Sequence, residues 1–69
     1  MTRQQLRKHA RAMLRASGLS LRRFAASIGL HDASHLCAFL KHGIRPESHL
    51  VSALGYRRVE AEHYEPDRG

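Results

Sequence analysis

Apolar residues recur along the first forty or so positions at intervals of three and four. Leu6, Ala10, Met13 and Leu14 form one stripe, Leu21, Phe24, Ala25 and Ile28 a second, and Leu36, Phe39 and Leu40 a third. That period places each set on one side of an α-helix. The punctuation between the stripes agrees. Thr2 and Gln5 have the spacing of a capping box, in which each side chain satisfies a backbone donor left free at a helix start. A first helix is therefore predicted to run to about Ser17, with Gly18 as its left-handed stop and Leu19 folding back behind it. Ser20 can cap a second helix that Gly29 ends, and Asp32 a third that runs from about Ala33 to His42 and ends at Gly43. Arg45-Pro46 then puts a proline in the first turn of a fourth helix, carried by Leu50, Val51 and Leu54 and closed by Gly55.

After Gly55 the pattern changes. Val59, Ala61 and His63 alternate as in a strand, whereas the Arg58/Glu62 pair would suit a helix, and the strand is the preferred reading. A single strand cannot stand alone, so its twin is expected from a second copy of the chain, with Tyr56, Val59, Ala61 and His63 as the dimer contacts. Chain length points the same way, because 69 residues make one domain whose small core benefits from burying a face against a second copy. The predicted architecture is all-α: a compact four-helix domain with a helix-turn-helix over residues 1–55, and a C-terminal extension over 56–69 that holds a dimerisation strand and a tail.

Charge changes the picture more than composition does. Twelve Lys and Arg against six Asp and Glu leave a formal +6, and residues 1–30 hold seven basic side chains with no acidic one, while residues 56–69 hold three basic and four acidic. A charge kept only for solubility has no need to segregate, so the polarity points to a polyanionic partner. Arg22 and Arg23 stand in the first turn of the second helix, where the helix dipole disfavours cations, and an external anion would offset that placement. Arg7, Lys8, Arg11 and Arg15 line the side of the first helix away from its apolar stripe, as a solvated face or as phosphate contacts. On the third helix Ser34, His35, Ala38, Lys41 and His42 turn away from the core stripe, a small and polar set that can lie against a groove.

The lone Cys37 excludes an internal disulfide, suits a reducing cytoplasm and is expected on the core side of its helix. No apolar run approaches the roughly 20 residues of a membrane span, and no signal-peptide pattern opens the chain, so a cytoplasmic protein without membrane contact is expected. His31 and His35 beside Cys37 lack the four convergent ligands of a structural zinc site, and neither metal nor cofactor is expected. Catalysis is not expected either: no glycine-rich phosphate loop or paired carboxylate is present, and four short helices leave little interior for a small-molecule pocket.

Two apolar-striped helices joined by a glycine-bearing turn within about 22 residues read as a helix-turn-helix. In "LSLRRFAASIGL", "SHLCAFLKHGIRP" and "LVSALGY" the chain resembles the Cro/C1-type helix-turn-helix family, small repressors of phages and other mobile elements, over residues 19–56. The resemblance implies that the first stretch is the supporting helix and turn, the second the recognition helix and the third the core helix that follows. It makes Ala25 the small residue where the two helices cross, Gly29 the turn glycine, and Ile28, Leu30 and Leu36 the core anchors. By the same carry-over Ser34, His35 and Ala38 face base edges. Two departures stand out: Leu21 occupies the place of a glutamine that grips a phosphate in the family, and the interval from Gly29 to Leu36 is one residue longer than usual.

The function expected from this sequence is that of a homodimeric repressor on an inverted-repeat operator in double-stranded DNA. Arg22, Arg23, His31, Lys41 and Arg45 are the expected phosphate contacts. The alternative is a protein–protein adaptor or antitoxin-like module whose basic face meets an acidic protein. RNA is the weaker nucleic-acid partner, since few aromatic side chains are available to stack bases.

Overall fold

The computed structural model describes residues 1–60 and 63–67. Four helices, α1 (Arg3–Ser17), α2 (Leu21–Ser27), α3 (Ser34–His42) and α4 (Ser48–Ala53), are followed by strands β1 (Tyr56–Glu60) and β2 (His63–Pro66). The chain is mostly helical with a small antiparallel sheet, so the all-α expectation holds for residues 1–55 and gives way after them.

Local chemistry explains where α1 and α2 begin. The Gln5 N–H donates to Thr2 Oγ1 at 3.3 Å and the Thr2 N–H to Gln5 Oε1 at 2.8 Å, which completes the capping box. Ser20 Oγ accepts the Arg23 N–H at 3.3 Å and starts α2. Gly18 closes α1 at φ +69°, a left-handed geometry that a side chain would strain.

Two helix starts differ from the sequence reading. Ala33, not Asp32, occupies the N-cap of α3, and Asp32 Oδ1 reaches one position further to take the Ser34 N–H at 2.8 Å. A carboxylate one residue outside the cap serves as an Asx-type turn. Pro46 is not in the first turn of α4. It is buried ahead of Glu47, whose extended backbone (φ −77°, ψ 163°) delays the helix to Ser48.

The C-terminal segment corrects the expectation of one strand awaiting a second subunit. β1 pairs with β2 of the same chain, with Arg57 opposite Glu65 and Arg58 opposite Tyr64, and a bulge between Arg58 and Glu60. The bulge breaks the alternation assumed for Val59, Ala61 and His63, so Val59 is half exposed and Tyr64, in the opposite phase, is the residue that the core takes in. Ala61 lies outside the described residues.

The far edge of β2 is bonded to the chain's start: Thr2 bridges to His63, and the Tyr64 N–H donates to the Met1 carbonyl at 2.6 Å. Leu6 and Ala10 of α1, Phe24 and Ala25 of α2, Leu36, Phe39 and Leu40 of α3, and Leu50, Val51 and Leu54 around α4 form one buried cluster with Leu30 and Tyr64. α1 lies against α2, α3 and β2, while α4 lies against β1. Each fully buried side chain of this kind contributes on the order of 1.5–3 kcal/mol.

Candidate nucleic-acid interface

The side chains that the core stripes leave over emerge on α2, on the turn after it and on α3. Phe24 and Ala25 turn α2 inward, which leaves Arg22 and Arg23 exposed in its first turn. Gly29 (φ +89°) then reverses the chain, and the Leu30 N–H returns to the Ala25 carbonyl at 2.9 Å, so that Leu30 is buried and His31 exposed. On α3 the inward set Leu36, Phe39 and Leu40 fixes the helix rotation. Ser34, His35, Lys41 and His42 are exposed in consequence, Ala38 is half-buried, and Arg45 is exposed beyond the helix end.

Two carboxylates border this face, and sequence spacing did not reveal one of them. Glu47 Oε1 lies 3.8 Å from His35 Nε2, both side chains being largely open to solvent, and the two form an ion pair only when the imidazole is protonated. Glu47 is twelve positions from His35 and on another element, so no periodicity connects them. Asp32 was expected as the cap of α3 and instead holds the Ser34 N–H from one position outside it. Hydrogen bonds from Ser34, first through its backbone N–H and then through its side chain, hold its carboxyl below the usual range, and the charges of His35 and His31 act in the same direction.

Because the folded value lies below that of the unfolded chain, the stability this cap contributes is present above the unfolded value and is lost as pH falls through the folded one. An NMR titration of the Asp32 carboxyl will therefore give a midpoint below the ordinary value of about 3.9, with the Ser34 amide resonance moving in step. A midpoint at or above the ordinary value would show that the cap does not persist in solution.

The basic side of α1 divides in two. Arg7 and Arg11 do not form an open face: Arg7 Nε donates to the Leu40 carbonyl at 2.9 Å, its Nη2 to the Lys41 carbonyl at 3.0 Å, and Arg11 Nη2 to the Leu40 carbonyl as well. These carbonyls belong to the last turn of α3, which has no intrahelical donors for them and carries the negative end of the helix dipole. Arg7, half-buried, and Arg11, exposed but bonded, thus fasten α3 to α1, while the exposed Lys8 and Arg15 take no part in that contact. The repeat of arginine four positions apart was visible in the sequence, but its carbonyl partners 29 to 34 positions away were not.

The side chains assigned to a dimer contact are spread over both strands. Tyr56 is half-buried and meets His9 of α1 edge-to-face, ring centroids 5.4 Å apart at 70°. Val59 and His63 are exposed. No third strand runs along β1 among the described residues, so its outer backbone groups face away from the sheet. Cys37 is half-buried, less enclosed than expected. Among the described residues no three His, Cys, Asp or Glu side chains gather where an ion could be held, and no helix is long and apolar enough to cross a membrane. No family model, curated protein or solved structure matches this chain.

Proposed function

We propose that the chain is a helix-turn-helix protein that binds double-stranded DNA in a sequence-specific way and represses transcription as a homodimer. The observation that carries this reading is the open outward side of α3: Ser34, His35 and Lys41 are exposed, with Arg22 and Arg23 of α2 exposed as well. An α-helix with such a side can enter a major groove, Ser34, His35 and Ala38 meeting base edges while Arg22, Arg23, His31, Lys41 and Arg45 meet phosphates. The outer edge of β1, unpaired among the described residues and with Val59 exposed, supports a two-fold contact that extends the sheet across two copies. A dimer of that kind fits an inverted repeat with half-sites about 34 Å apart.

Selection of bound sequences from a random DNA pool tests the reading, and a palindromic consensus is the expected result. If about three of those five side chains engage a phosphate at once in each subunit, about six per dimer, affinity should fall with salt at a log–log slope near −5. Arg23→Ala should weaken all sequences alike and make the slope shallower by about 2 per dimer. His35→Ala should instead change the preferred base at one position of each half-site, where a mismatch ordinarily costs about 1–3 kcal/mol. Equal losses on every sequence for both variants would remove His35 from base reading, and retention by no sequence over excess competitor would overturn the repressor.

A further inference from the structure

We propose that the groove between the end of α1, the start of α2 and the end of α3 docks a short acidic amphipathic segment of a partner protein. The groove is shallow and open to solvent, offers about 750 Å³, and is floored by Leu14, Leu19, Leu21 and Leu40. Leu40 belongs to the core, but Leu19 is 40% exposed, and Leu14 and Leu21 are only partly covered. Arg15, Lys41 and Arg11, which also donates to the Leu40 carbonyl, form the rim, and among the described residues no carboxylate lines the groove.

The two halves of this surface together select the occupant. A ligand that is only charged would satisfy the rim and leave the leucines in water. One that is only apolar would strip water from three cations and return nothing for it. A helix with leucine or phenylalanine on one side and glutamates beside them supplies both, with its apolar anchors on the floor and its carboxylates on the rim, in the helix-in-groove mode. The duplex backbone matches the rim alone, since phosphates give Leu19 nothing to bury against.

Lys41 also belongs to the phosphate contacts proposed above, but the docking does not depend on that reading, and it is measured on the protein without DNA. The probe is a fluorescein-labelled peptide of about twelve residues with leucines at i and i+4 and glutamates flanking them, titrated with the full chain and followed by anisotropy at about 0.15 M salt. Saturable binding is expected, with amide shifts at Gly18, Leu19 and Lys41. Affinity should drop about tenfold or more in Leu19→Glu and in Arg15→Glu, both at exposed positions, with unchanged circular dichroism.

Absence of binding would overturn the proposal, as would equal binding by Leu19→Glu. A peptide with serine for leucine that binds as well as the parent would reduce the groove to bare electrostatics, and so overturn it too. Self-association of the chain that Leu19→Glu abolishes would assign the groove to a second copy, and displacement of the peptide by laurate at matching concentration would assign it to a small amphiphile. Either result replaces the partner segment.

Discussion

Tyr64→Ala is expected to lower stability by about 3–5 kcal/mol, whereas Tyr64→Phe should leave the midpoint of unfolding unchanged or raise it. Tyr64 is fully buried and heads the set of largest enclosed side chains, so its truncation opens a void in the cluster. Its strand is tied on both edges, to Arg58 of β1 and to Met1, and the same loss therefore loosens the hairpin and the chain's start together. A domain of this length is stable by only about 3–10 kcal/mol, so Tyr64→Ala removes a large share of the total and should unfold at a much lower urea concentration than the parent.

The hydroxyl contributes differently. It is buried without a hydrogen-bond partner among the described residues, and an unmet donor of that kind costs about 1–3 kcal/mol. Phenylalanine keeps the ring and removes the cost. Urea unfolding followed by circular dichroism separates the two variants, and a Tyr64→Phe protein as damaged as Tyr64→Ala would show that the hydroxyl is bonded in solution.

That side chain also shows where sequence patterning stops. The helices were legible because each is dictated locally: apolar spacing sets the buried side, and Thr2, Ser20, Gly18 and Gly43 set ends that the structure reproduces. The hairpin depends on a bulge and on a bridge between Thr2 and His63, which are contacts between distant positions, and a period of two read through a bulge selects the wrong phase. The alternation through Val59 and His63 accordingly passes over Tyr64, the strand residue that is buried.

The candidate interface divides along the same line. Exposure of Arg22, Arg23, Ser34, His35 and Lys41 follows from the rotation that the core residues impose, which a helical wheel already contains. The carboxylate of Glu47 beside His35 required the path of the chain around Pro46, and nothing local encodes that path. Charge was the least specific guide, because the formal +6 cannot tell an arginine that meets solvent from one that fastens a helix end.

That distinction yields the second large effect. Arg7→Ala should destabilise the fold by about 1.5–3 kcal/mol, the range for hydrogen bonds to a charged group. It removes two donors from the Leu40 and Lys41 carbonyls, and Arg7 is partly buried where it makes them. Arg11→Ala should cost less, since that side chain is exposed, and the double variant should fall short of the sum because both guanidinium groups serve the Leu40 carbonyl. Arg7→Lys should recover only part of the loss: an ammonium keeps the charge at the negative end of α3 but lacks the planar fork that reaches two carbonyls.

The expected signature is local as well as global, with hydrogen exchange accelerated at Lys41, His42 and Gly43 while the amides of α2 keep their protection. Arg22→Ala and Arg23→Ala, at exposed positions that hold nothing together, should leave both the melting temperature and the exchange pattern as they are. If Arg7→Ala preserved stability and exchange yet weakened the protein on every DNA sequence, the guanidinium would belong with the phosphate contacts and α3 would owe its position to the leucine core alone.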